Sequence, residues 1–179
     1  MVIGGGHDLT FPCVRALASA DDPLAVVYFD QHLDVREQEG SGMPFRRIIE
    51  AQLASELHVF GLHTLSADRE HMRYYQSHGG RADGFGPDDP WPERPTYVSL
   101  DMDVIDQAFA PGVSAMNPNG WTPAVAEAWA EAAGRNPSTV GFDIMELSPP
   151  NDPSGRTARL AAHLFLSFLR GLARRGSSA

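Results

Sequence analysis

Two short, largely apolar runs in this chain end in clusters of carboxylates, and that pairing narrows the folds open to it more than any other feature. Leu24-Ala25-Val26-Val27-Tyr28-Phe29 leads straight into Asp30-Gln31-His32-Leu33-Asp34, and Thr96-Tyr97-Val98-Ser99-Leu100 into Asp101-Met102-Asp103. A continuous apolar run of this kind is the pattern of a parallel strand buried on both faces. If the extended chain continues into the acidic residues, side chains alternate with a period of two. Asp30, His32 and Asp34 then share one face, and so do Asp101 and Asp103. Side by side, such strand ends gather four carboxylates and an imidazole into one small volume. Like charges so close repel and raise one another's pKa values, and two divalent cations are the simplest compensation. A lone D-x-D at a strand end is commonly a solvated loop. A D-x-H-x-D after a buried run, joined to a second acidic cluster and to His7 on the Gly4-Gly5-Gly6 turn, is far more selective.

The rest of the chain supplies elements for a sheet covered on both faces. Helical apolar spacing runs from Leu9 to about Ala18, Phe45 to Leu57 reads as a helix, and Leu57 to Leu62 as a short strand. Ser66 to Ser77 reads as helical, and the Gly-, Pro- and Asp-rich stretch from Gly79 to Pro95 as an exposed connector. Thr122-Pro123 is an N-cap followed by proline at the first helical position, predicting a helix to about Gly134. Ser138 to Met145 reads as a strand, and Arg156 to Ala173 as a strongly apolar helix. Strands alternating with helices predict a three-layer α/β/α fold with a mostly parallel sheet. Ligands in such sheets bind beyond the carboxyl ends of the strands, where the acidic clusters lie. The 179 residues suit a single domain spanning 1–179.

A formal charge of −9 argues against nucleic acid or an anionic membrane as a partner. The single Cys13 excludes an internal disulfide and is typical of a reducing compartment. No leader-like or membrane-length apolar segment is evident in the sequence, so a cytoplasmic protein is expected. Homo-oligomer formation stays open. Hard cations such as manganese favour carboxylate and water oxygens with some imidazole, whereas zinc would be expected to recruit cysteine, absent from every cluster. Two such ions about 3.5–4 Å apart generate a hydroxide at neutral pH. Residue chemistry alone leaves phosphoesterase, amidohydrolase and ureohydrolase open.

The ordered motifs carry more. Gly-Gly-Gly-His at 4–7, Asp-Gln-His-Leu-Asp at 30–34, Ser-Leu-Asp-Met-Asp-Val-Ile-Asp at 99–106 with Ala-Pro-Gly at 110–112, and Asp-Ile-Met-Glu at 143–146 followed by Pro149 resemble the signatures of the arginase/agmatinase/formimidoylglutamase (ureohydrolase) family. The resemblance covers almost the whole chain, with the motifs in family order. It implies an arginase-like fold and two Mn2+ ions, one on His7, Asp30, Asp34 and Asp101, the other on Asp30, His32, Asp101 and Asp103. Asp34 would also hydrogen-bond a bridging hydroxide and pass its proton to the leaving nitrogen. Glu146 would face the metals and pair with a cationic amidine or guanidine substrate.

Where arginase and agmatinase relatives usually carry a shuttle histidine, this chain has Ser41-Gly42-Met43-Pro44-Phe45, similar to the Ser-Gly-Thr-Pro-Phe of formimidoylglutamases. Asp34-Val35-Arg36 and Asp152 to Ala158 also resemble that branch. Ser41 is therefore a substrate-contact candidate, and Arg36 a partner for a substrate carboxylate. The expected reaction is hydrolysis of N-formimidoyl-L-glutamate to L-glutamate and formamide. The rivals are an agmatinase-like or guanidino-acid hydrolase releasing urea, and a noncatalytic metal-binding fragment. Gln31 replaces the alanine usual in the family; strand alternation would point it away from the metals, where crowding is expected. The chain starts three residues before its first motif, so the N-terminal part of the family's sheet is expected to be missing and 1–179 to be the C-terminal portion of the family domain.

Overall fold

The computed structural model describes residues 1–175 apart from Thr64 and Ser66. Six strands form one sheet: β1 (Val2–Ile3), β2 (Leu24–Phe29), β3 (Ala54–Phe60), β4 (Gly80–Ala82), β5 (Thr96–Asp101) and β6 (Thr139–Met145). Their order across the sheet is β1-β6-β5-β2-β3-β4, and every pairing is parallel. The helices are α1 (Thr10–Arg15), α2 (Pro44–Glu50), α3 (Arg69–Ser77), α4 (Pro123–Arg135) and α5 (Arg156–Ala173).

The unbroken apolar run of β2 has a direct physical reading, since both of its faces are covered. Val26 and Tyr28 pack with Val14, Phe45, Ile48 and Tyr75 from α1, α2 and α3. Val27 and Phe29 point the other way, into a core with Trp129, Ala161, Leu164 and Phe168 from α4 and α5. The result is the expected three-layer arrangement. Trp129 is the hub of an aromatic group, stacked on Trp121 at 5.9 Å and close to Phe29, Phe60, Phe85 and Trp91. Helices α4 and α5 cross at Gly134 and Gly171, where a Cβ would run into the opposite backbone.

The capping signals behave as read: Thr122 accepts from the Val125 amide at the start of α4, with Pro123 in the first turn. Other boundaries move. The helix expected over 45–57 is only Pro44–Glu50, because Gln52 turns left-handed (φ 54°) and β3 begins at Ala54. Helix α3 starts at Arg69, its first turn held by the Asp68 carboxylate accepting from the Glu70 and His71 amides; Ser66 lies outside the described residues. Two short strands, β1 and β4, stand in stretches with too few residues for a periodic signal. Among the described residues, no helix is long and apolar enough to cross a membrane.

Topology fixes where a ligand would sit. The chain leaves β2 in one direction through β3 and β4, then returns to the other side of β2 for β5 and β6. The crevice between the carboxyl ends of β2 and β5 is thus a topological switch point. Phe29 pairs with Leu100 there, so Asp30 and Asp101 emerge next to each other.

Candidate metal centre

Four adjacent strands, β1, β6, β5 and β2, each deliver site residues just beyond or at their carboxyl ends. His7 follows β1 as the buried residue of a 3-10 turn, Glu146 follows β6, Asp101 ends β5, and Asp30 follows β2. The simple strand alternation expected for the acidic motifs is not how they converge. Strand β2 stops at Phe29, and residues 30–34 form a loop; after Asp101 the chain enters a 3-10 turn over Met102–Val104. In both places the leading aspartate folds back on the chain. Asp30 Oδ1 accepts from the His32 amide at 2.6 Å, and Asp101 Oδ1 from the Asp103 amide at 2.7 Å. This Asx-type turn swings the residue two positions on back towards the same point.

Further bonds hold the 30–45 loop. The Tyr28 hydroxyl donates to the Leu33 carbonyl at 3.0 Å, the Phe45 amide to the Asp34 carbonyl at 3.1 Å, and the Arg36 amide to the Gly42 carbonyl at 2.9 Å. They keep Asp34 left-handed (φ 48°), a backbone region costly for a non-glycine residue. Met102 is fully buried in the core.

The donors gather in two groups that share Asp30: His7, Asp30, Asp34 and Asp101, and Asp30, His32 and Asp103. His7 Nδ1 lies 3.2 Å from Asp30 Oδ2, 3.0 Å from Asp34 Oδ2 and 3.0 Å from Asp101 Oδ2. His32 Nδ1 lies 3.4 Å from Asp30 Oδ1 and 3.2 Å from Asp103 Oδ2. Asp101 joins the first group only.

The electrostatics are those of a site built for positive charge. Burial pushes Asp101 well above the usual carboxylate range, and the nearby Asp103 and Asp30 push it further; Asp103 is raised by burial and Asp30. Burial lowers the His7 imidazole, but Asp101, Asp30 and Asp34 more than offset it and hold it well above its ordinary value. At His32 burial is likewise overcome by Asp103 and Asp30, which push it up to about 11. His7 Nδ1, Asp30 Oδ2 and Asp103 Oδ1 are nevertheless buried without an aligned hydrogen-bond partner. Carboxylate oxygens with a few imidazoles, aimed at common points and otherwise orphaned, suit hard divalent cations.

Behind His7 runs a chain of hydrogen bonds that sequence patterning does not supply. Ser99 Oγ donates to Asp143 Oδ1 at 2.5 Å, while Asp143 Oδ2 accepts from Tyr97 and Thr10 hydroxyls, each at 2.8 Å. With its one hydrogen committed to Asp143, Ser99 accepts from His7 Nε2, 2.9 Å away. In the neutral imidazole that a metal would require, Nδ1 would then turn its lone pair towards the carboxylates. Ser99 and Asp143 sit inside the acidic motifs, but their partners come from other strands and from α1.

Glu146 is 7% exposed and left-handed (φ 63°). Its Oε1 accepts from the His7 amide at 2.8 Å and its Oε2 from the Ser114 hydroxyl at 2.7 Å. A cavity of about 80 Å³ brings Glu146, His32, Asp34, Asp101 and Asp103 together with Arg36, Ser41, Ser114 and Ala115. It shares His32, Asp34 and Arg36 with a neighbouring cavity of about 250 Å³, lined also by Gln31, Leu33, Ala67, Asp68 and His71. Arg36 lies against Gly42, where a Cβ would meet its side chain at 2.9 Å. Ser114 and Ala115 are wall residues without a signal in the sequence.

A model of the arginase family matches residues 1–170. The chain belongs to the arginase family. It is 32% identical over 192 residues to a formimidoylglutamase from Halalkalibacterium halodurans, a match covering 96% of this chain and 60% of that relative. It is 34% identical over 194 residues to the proclavaminate amidinohydrolase of Streptomyces clavuligerus, covering 97% and 62% respectively. The crystal structure of Trypanosoma cruzi formiminoglutamase with Mn2+2 superposes with a TM-score of 0.85 at 27% identity, over 97% of this chain and 65% of that one. The fold is thus arginase-like. The chain spans about 60% of the length of the curated relatives it matches.

Proposed function

We propose that this chain is a binuclear manganese hydrolase of linear amidines, with N-formimidoyl-L-glutamate as substrate and L-glutamate and formamide as products. The observation that carries the reading is one cavity lined by four of the six metal-ligand candidates, His32, Asp34, Asp101 and Asp103, together with the buried carboxylate of Glu146; His7 and Asp30 lie buried behind them in the same donor groups. His7, Asp30, Asp34 and Asp101 would hold one ion, and Asp30, His32 and Asp103, with Asp101, the other. When bound, such a pair of cations supplies a water nucleophile at neutral pH.

The chain's own residues do the rest. Glu146 accepts the N–H groups of the amidinium, a charge-assisted contact in a partly desolvated cavity. Arg36 has no ion-pair partner among the described residues, and its guanidinium fork at the cavity rim matches a substrate carboxylate. Ser41 lines the wall at the position where a histidine would favour the guanidine branch, and the substrate choice rests on it. As water adds to the formimidoyl carbon, a C–O bond forms and the bond from that carbon to the glutamate nitrogen breaks. Asp34 takes the proton given up by water and hands it to that leaving nitrogen.

The 34% identity to an amidinohydrolase keeps a second reading in view, a guanidino-acid hydrolase releasing urea. Assay of the purified protein with manganese across formimidoylglutamate, agmatine, arginine and guanidinobutyrate separates the two. Formamide release from formimidoylglutamate should be the fastest turnover. Faster urea release from a guanidine would overturn the substrate, and no turnover of any of them would leave a noncatalytic metal-binding chain.

A further inference from the structure

Gln31 adjoins Asp30, the residue common to both donor groups, yet its side chain leaves the metal centre. It is 5% exposed, and its Nε2 donates to the Ala115 carbonyl at 2.8 Å. Ala115 belongs to the wall that faces the metal ligands across the cavity. This wall is anchored at both ends. Thr157 Oγ1 accepts from the Gly112 amide at 2.7 Å and Asn151 Nδ2 donates to the Val113 carbonyl at 3.0 Å, while the Gln107 amide donates to the Asn117 carbonyl at 2.7 Å. Between Val113 and Asn117, the described residues make two hydrogen bonds: Gln31 to Ala115, and Ser114 to Glu146 Oε2. Ser114 and Met116 are otherwise exposed.

From this geometry we infer that Gln31 is a positioning residue that, through the 114–116 wall, sets the amidine-binding carboxylate of Glu146. The inference rests on the role assigned to Glu146 above. Glu146 has two protein donors, the His7 amide on one oxygen and Ser114 on the other. Its backbone is left-handed, so its direction depends on such contacts. Releasing Ala115 frees the span that carries Ser114, and one of the two donors then loses its fixed place. Because Gln31 is peptide-bonded to Asp30, the same tether fixes the distance between the metal end and the amidine end of the cavity. The sequence expectation of crowding at Gln31 is thereby replaced: the long side chain leaves the metals to reach a specific backbone acceptor.

Gln31→Met keeps the length and bulk of the side chain and removes the donor. In the manganese-loaded, substrate-free protein, limited proteolysis within 114–116 should quicken by about tenfold, with β2 left uncut. KM for the amidine should rise about tenfold with metal content unchanged. Ser114→Ala should act in the same direction, and the double variant should lose much less than the product of the two single effects, because both break one tether. Unchanged cleavage in 114–116, or faster cleavage with wild-type KM, or multiplicative losses, would each overturn the inference. A parent protein that turns over no amidine would sink the functional reading and the positioning role with it, while the proteolysis result still decides whether the tether exists.

Discussion

At the carboxyl end of the sheet, Asp30, Asp101 and Asp103 are buried together beside His7, and several of their polar atoms lack aligned partners. On the outer face of α4 and α5, Glu127 and Glu131 meet Arg170, Arg174 and His163 in an exposed network in which each acid has a cation. The surface network is balanced in sign and solvated, so each contact trades against water and contributes little. The buried cluster has an excess of acid and little water to lower its self-energy. The pair of divalent cations proposed for it would supply the balancing positive charge. The comparison separates charges that decorate a fold from charges that define a site.

The sharpest way to break that contrast is Asp30→Ala. Its carboxylate belongs to both donor groups, so metal analysis should find at most one ion per chain, and kcat/KM should fall by more than about 100-fold, beyond the typical cost of an outer-shell change. Full metal content with full activity would show the cluster to be an ordinary acidic loop. Next in size, chelation should destabilise the fold, since ions bound only by the native state stabilise it by about 2.7 kcal/mol when present at 100 times Kd. For a chain of this size that is a drop in Tm of roughly 5–11 °C. A melting curve indifferent to chelator would count against the site.

Glu146→Gln sharpens the comparison within the site itself. Glu146 faces the cavity without belonging to either donor group, so the variant should retain its metals. Losing a charge-assisted contact to the amidinium should cost about 1.5–3 kcal/mol, or roughly one to two orders of magnitude in kcat/KM. Wild-type kinetics would remove Glu146 from substrate binding, and a lost ion would redraw the ligand set. The smallest effect is expected from Glu131→Gln on the surface. Its Tm should move by no more than about 4 °C, and less at high salt, because these ion pairs are screened. A larger shift would mean that the helix network contributes to the fold as strongly as the metal centre.

Much of the site is written locally. Asp30, His32 and Asp34 lie in one stretch of chain, and so do Asp101 and Asp103, each beside the buried run that delivers it. The reason first offered for their convergence, strand alternation, does not operate, because β2 and β5 end before the motifs do. The Asp30 and Asp101 side chains capture the amides two residues on, and the carboxylates meet through turns. The pattern of apolar runs and caps found β2, β5, β6, α4 and α5, where both faces or one broad stripe are buried. It missed β1 and β4, which are too short to show a period and are ordered by pairing with β6 and β3.

By itself, then, the sequence determined the three-layer parallel architecture, the acidic ends of its central strands and the identity of the candidate ligands, because burial and charge are properties of neighbouring residues along the chain. Tertiary structure alone decided how those residues are held. Ser99 and Asp143 reach His7 from adjoining strands, Ser114 meets Glu146 across the cavity, and Gln31 reaches Ala115 84 residues away. Hydrogen bonds between residues so distant leave no periodic trace, since their partners become neighbours only when the sheet has formed.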